Sequence, residues 1–220
     1  MLPVATTLRI IKTPWATYTI VAANIVVHFL VTWNTNFVIS DRVARTFGFN
    51  PASFGNLSAV PTLVTSMFFH GDLLHLFGNM IFLLVFARRV ENQLETVNFL
   101  MFYLATGISA CLAHLLMEPN SSSPLIGASG AISGVLGAFF ICNPTARITL
   151  VLDPALIYFL HRLTIRLPAW VFLPVWFFLQ ISLGLKPHGA NVAFWAHVAG
   201  FLTGTLMAIT VYQYTSKEKS

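Results

Sequence analysis

Residues 127–134 read Gly-Ala-Ser-Gly-Ala-Ile-Ser-Gly and run on into Val135-Leu136-Gly137-Ala138-Phe139-Phe140-Ile141-Cys142. Gly130 and Gly134 are four apart, as are Ser133 and Gly137, and small residues at that spacing let one membrane helix lie closely against another. Ser129 follows directly on a soft linker, Glu118 to Pro124, which contains Ser121-Ser122-Ser123. Its hydroxyl therefore falls in the first turn of a helix, beside free backbone N–H groups and the positive end of the helix dipole. Such N–H groups can stabilise an oxyanion. Close packing accounts for the glycines but leaves Ser129 unexplained.

Composition supplies the setting. Of 220 residues, 56% are hydrophobic and only 9% are charged, against about 25% charged in a soluble domain. That is too little charge to cover a globular surface. Disorder and a soluble enzyme are excluded, and an integral membrane protein with an all-α, polytopic helix bundle remains. The net charge of +5, from 12 Lys and Arg against 7 Asp and Glu, is spread in short stretches between apolar runs. It reads as a set of topology determinants, with no nucleic-acid site. Cys111 and Cys142 lie in different apolar runs, and no CxxC, CxxH or HExxH pattern occurs. Neither a disulfide framework, a metal site nor a cofactor is expected.

Six apolar runs follow one another: about Tyr18–Trp33, Asp72–Ala87, Asn98–Met117, Gly127–Cys142, Ala169–Leu185 and Asn191–Tyr212. The first is long for a signal-peptide core and has no small-x-small cleavage site before Asn34-Thr35-Asn36, so it reads as a retained helix. Met67-Phe68-Phe69 is expected to extend the second run outward. The chain thus reads as one membrane domain over 1–220, with a first helix at about 17–33, an outer loop at 34–66, a core at about 65–208 and a tail at 213–220. Six spans put both termini on one side. With the N-terminus inside, the inner segments hold Arg9, Lys12, Arg88, Arg89, Arg147, Arg162, Arg166, Lys217 and Lys219, while the outer ones hold Arg42, Arg45 and Lys186. This bias predicts an N-in/C-in topology. The semi-apolar loop 34–66 suggests an interfacial insertion. Ile148–Leu160, interrupted by Asp153-Pro154, is too short to span and is expected to lie at the membrane surface.

Polar side chains inside spans are costly, which makes each a functional candidate. The second run opens with His70, and His75 and Asn79 follow it, four apart on one helix face. The sixth run carries His197 with Gly200 and Gly204 at spacings of three and seven. Glycine stripes on the fourth and sixth runs allow Ser129 and His197 to approach. In the inferred topology the second, fourth and sixth runs all enter from the outer face. His197 then sits roughly 9 Å below the start of its helix at Asn191, so His70, His75, Asn79, Ser129 and His197 reach one layer between the outer surface and the midplane. In that layer His197 can take the Ser129 proton. The Asn79 amide, a His75 ring N–H and the Ser129 backbone N–H can receive an oxyanion. Asp72 and Glu118 lie off these helix faces, leaving a Ser-His dyad with no evident carboxylate.

Together, His70 with His75 and Asn79, then Gly127-Ala128-Ser129-Gly130, then Ala196-His197 with Gly200 and Gly204, resemble the rhomboid intramembrane serine proteases over about Thr65–Ala208. The resemblance implies a six-helix rhomboid core. Ser129 would be the nucleophile, His197 the general base and acid, and His75 and Asn79 would line the oxyanion hole. His70, Gly127, Gly130, Gly200 and Gly204 would have supporting roles. It also implies that the partners are single-span membrane proteins cut in or near a helix-destabilised transmembrane segment. Three departures stand out. Arg42 and Arg45 have no nearby Trp of the family's Trp-Arg pair. Ala87, Glu91 and Glu95 stand where the family has Gly, Glu and Gly. Ser133 occupies the place where some relatives have an aromatic residue packed on the histidine.

Two other classes compete with an enzyme. A transporter would continue its polar lining to the inner face, whereas the fourth and sixth runs turn apolar inward at Phe139-Phe140 and Leu206. A catalytically inactive rhomboid-like chaperone would share the fold, although inactive relatives typically lack the Ser or the His. A metal held by His70, His75 and His197 lacks any carboxylate or cysteine ligand. The compact form suggests a prokaryotic plasma membrane with the site facing outward.

Overall fold

The computed structural model describes residues 2–151, 164–186 and 192–217. Each of the six apolar runs contains a helix. Trp15–Thr32 (α1), Leu73–Leu94 and Thr96–Met117 (α6) are long and apolar enough to cross a membrane. Ser129–Cys142 (α7), Ala169–Gly184 (α8) and, within Phe194–Lys217 (α9), the stretch Phe194–Thr210 are shorter apolar helices. Two short helices, Asp41–Phe47 (α2) and Thr62–Thr65 (α3), belong to the loop after α1.

The helix from Leu73 to Leu94 comprises α4 (Leu73–Phe82), a π-helical turn at Leu83–Ala87 and α5 (Arg88–Leu94). Its N-terminus is set by Asp72, whose carboxylate accepts the His75 backbone N–H at 2.8 Å, a side-chain cap for an otherwise unpaired donor. The helix therefore does not extend outward through Met67-Phe68-Phe69, as the hydrophobicity of those residues suggests. Ser66–Phe68 forms a separate 3-10 turn, and the extra length is gained at the other end. There Glu91 explains why charged residues stay in the helix. Its carboxylate accepts from the backbone N–H groups of Ala16 and Thr17 at 2.9 and 2.8 Å, and from the hydroxyls of Thr17 and Thr96 at 2.7 and 3.0 Å. A side chain from α5 thus caps the first turn of α1, which follows Pro14 and has no capping side chain of its own.

At the centre lies α7, buried continuously from Ala131 to Phe139. A helix apolar on every side belongs inside a bundle, and α7 packs against both α6 and α9, which also touch each other. Glycines set the spacing. A Cβ at Gly200 would overlap the Gly130 carbonyl oxygen, and one at Gly204 would overlap that of Gly134. Only hydrogen at these positions lets the two backbones touch.

The all-α expectation needs one correction. Leu2–Thr6 (β1), Arg147–Val151 (β2) and Thr164–Pro168 (β3) form a three-stranded antiparallel sheet in the order β1-β2-β3. In β2, Ile148, Leu150 and Val151 are fully buried or nearly so. These short segments hold β-branched residues, and each is too short for a helix to bury much on its own. The surface segment expected at Ile148–Leu160 begins as this strand, and its remainder lies outside the described residues.

The departure at Ala87, Glu91 and Glu95 has structural consequences. Ala87 and Glu91 are both buried, so the helix packs closely there without the family's first glycine. Glu95 sits at φ +67° between α5 and α6, a conformation that favours glycine.

Candidate active site

The approach to Ser129 is shaped by the loop after α1. Phe49 and Leu125 exchange backbone hydrogen bonds of 2.9 and 2.7 Å, and Gly127 N–H donates to the Ser66 carbonyl at 2.9 Å. The chain then turns at Gly127, with φ +115°, and enters α7 at Ser129. Ala128 N–H faces His70 Nε2 at 3.5 Å, at the long limit for such a bond. The semi-apolar residues of the 34–66 loop therefore do structural work: Phe49 is fully buried, and Phe47 stacks on Phe69 with ring centres 4.7 Å apart.

Ser129 and His197 meet across α7 and α9. Ser129 Oγ lies 2.8 Å from His197 Nε2, near the usual hydroxyl hydrogen-bond distance. The contact exists because Gly200, three residues beyond His197, rests on Gly130, the residue after Ser129. Both members are half-buried, so they are held by packing yet open to a reactant.

His75 and Asn79 stand over the turn at Gly127. A Cβ at that glycine would lie 2.7 Å from His75 Nε2 and 3.9 Å from Asn79 Nδ2, so the space left by the missing side chain is bordered by both groups. Gly71 N–H donates to His75 Nδ1 at 3.3 Å. A neutral ring accepting at Nδ1 carries its proton on Nε2, and that N–H faces the Gly127 turn. Asn79 donates one amide hydrogen to the His75 carbonyl, at 2.9 Å. His70 is fully buried, edge-on to His75 with ring centres 5.1 Å apart, and its contact is with the backbone before Ser129. Among the described residues no group of His, Cys, Asp and Glu could hold a metal ion.

Sequence reasoning missed several participants. Gln180 of α8 places Oε1 2.8 Å from His197 Nδ1, and Trp176, one turn earlier, packs on the imidazole with ring centres 6.2 Å apart at 32°. An aromatic partner therefore reaches His197 from α8, while Ser133, in the place of the family's aromatic, donates back to the Ser129 carbonyl at 2.7 Å. Asp72 is engaged in capping α4 and is not an orienting carboxylate. In α1, Asn24 and His28 are fully buried. The rule that singled out polar residues in the second, fourth and sixth runs would have found Gln180, Asn24 and His28 in the fifth and first.

The Rhomboid domain family matches residues 57–214 of this chain. The chain belongs to that family. It is 28% identical over 226 residues to RHOMBOID-like protein 6, mitochondrial, of Arabidopsis thaliana, covering 87% of this chain and 67% of that protein. It is 34% identical over 97 residues to Rhomboid protein 1, mitochondrial, of Saccharomyces cerevisiae, covering 42% of this chain and 28% of that protein. With Rhomboid protease GluP of Bacillus subtilis it shares 32% over 125 residues, covering 57% of this chain and 24% of that protein. This multi-pass membrane chain thus spans about two thirds of the length of the first of these relatives and under a third of the other two.

Proposed function

We propose that this protein is an intramembrane serine endopeptidase that cuts single-span membrane proteins within or near their transmembrane segment. The observation that carries the reading is the 2.8 Å contact between Ser129 Oγ and His197 Nε2. A neutral imidazole nitrogen there can accept the hydroxyl proton as Oγ bonds to the scissile carbonyl carbon. Negative charge then moves to the carbonyl oxygen, for which the His75 Nε2–H, the second Asn79 amide hydrogen and the Ser129 backbone N–H are donors. His197 returns the proton to the departing amine as the C–N bond breaks. Water, deprotonated by the same nitrogen, attacks the acyl-serine carbonyl; the C–Oγ bond breaks, His197 returns the proton to Ser129 Oγ, and the acid product leaves.

Two further elements belong to the proposal. The six apolar helices each span the bilayer, N-in and C-in, with the dyad toward the outer face, as the distribution of Lys and Arg favours. The expected prokaryotic plasma membrane is supported by the Bacillus relative, while the mitochondrial names of the plant and yeast relatives weigh against it.

The test is fluorophosphonate labelling of the full chain in detergent, followed by cleavage of a single-span reporter in proteoliposomes. Labelling of the parent that is lost in Ser129→Ala and His197→Ala, together with reporter cleavage, is the expected result. Labelling that survives Ser129→Ala, or is absent from the parent, would overturn the mechanism. Labelling without cleavage of any membrane reporter would overturn the substrate class.

A further inference from the structure

The dyad chemistry does not use the buried polar side chain that stands nearest to it. Gln180 is 7% exposed in α8, where an unpaired carboxamide would be costly. Its Oε1 lies 2.8 Å from His197 Nδ1, on the far side of the ring from Ser129. Trp176 and Gln180 are one turn apart on the same face of α8. The first packs on the imidazole and the second bonds its Nδ1 edge.

A neutral imidazole has one N–H. An amide oxygen can only accept, so its partner nitrogen must be the protonated one. With the proton on Nδ1, Nε2 presents a lone pair to the Ser129 hydroxyl. The other tautomer sets two acceptors against each other at Nδ1 and leaves Nε2 unable to take a proton. A carboxylate at position 180 would impose the same tautomer but would add a buried charge within an apolar helix. Resting on the reading of Ser129 and His197 as a dyad, we propose that Gln180 is a positioning residue that accepts the Nδ1–H of His197 and holds the ring in its base-competent tautomer.

The experiment compares the full chain with Gln180→Met, Gln180→Glu and Ser129→Ala in detergent. It measures fluorophosphonate labelling rate, kcat and KM on a single-span reporter, and the thermal midpoint. Methionine matches glutamine in length and accepts no comparable bond, whereas glutamate still accepts. The expected result is an about 10²-fold loss of kcat and labelling rate in Gln180→Met, with KM and midpoint unchanged and most of the rate restored in Gln180→Glu. Parental kcat in Gln180→Met would overturn the proposal. So would equal losses in both variants that track a fall in midpoint, the signature of a packing role. Nitrogen NMR of the parent, with His197 assigned by comparison with His197→Asn, reads the tautomer without any variant at 180. A proton on Nδ1 supports the proposal and one on Nε2 overturns it. Failure of the dyad itself gives a different pattern: no labelling of the parent, or labelling retained in Ser129→Ala, which removes the role of Gln180 together with that of the dyad.

Discussion

Replacing Gly127 by alanine adds one methyl group at the point where the oxyanion is proposed to sit. The new Cβ would stand 2.7 Å from His75 Nε2 and 2.8 Å from its Cε1, whereas ordinary contact begins at 3.4 Å. The ring must retreat by about 0.7 Å, which stretches a 2.9 Å hydrogen bond from Nε2 to about 3.6 Å, beyond useful range. The methyl also occupies the space the oxygen needs. Loss of one such donor typically costs about 3–4 kcal/mol of transition-state stabilisation, or 10²–10³ in rate. A separate cost falls on folding, since φ +115° is unfavourable for alanine and strain of this kind is worth about 1–3 kcal/mol. The assay is kcat on a single-span reporter with the thermal midpoint measured on the same preparation. A folded Gly127→Ala protein that cleaves at the parental rate would refute the placement of the oxyanion between His75, Asn79 and the Gly127 turn.

Asn79→Ala should fold and lose about 10² in kcat, and a parental kcat would remove Asn79 from the oxyanion site. Glu91→Ala leaves two backbone N–H groups and two hydroxyls without their acceptor, and should lower stability by about 3 kcal/mol, read as a depressed thermal midpoint in detergent. An unchanged midpoint would show that water caps α1 equally well. Glu95→Gly should raise stability by about 1 kcal/mol by relieving the positive φ. Part of that gain is offset by the lost ion pair with Lys12, which is exposed and contributes little. The Lys12 ammonium holds the Glu95 carboxyl below its ordinary value, so the pair helps above that ordinary value and is lost as pH falls through and below it. The advantage of Glu95→Gly should therefore widen in acid, and an advantage that shrinks there would contradict the assignment.

What the chain determines on its own is local and periodic. The scarcity of charge identifies a membrane protein, and the 3.6-residue period puts His75 with Asn79, and His197 with Gly200 and Gly204, on common faces. The glycine spacing in α7 and α9 marks helices whose backbones touch. The same period also places Trp176 and Gln180 on one face, but nothing in α8 says which neighbour that face meets. Pairings between helices depend on how they cross, and crossing is decided by where backbones can come into contact. Only the folded bundle therefore brings Gln180 of α8 to His197 of α9, and Glu91 of α5 to the first turn of α1. The sheet lay hidden for the same reason. Its strands come from residues 2–6, 147–151 and 164–168, each too short to carry a reliable period, and they are strands because they find one another in space.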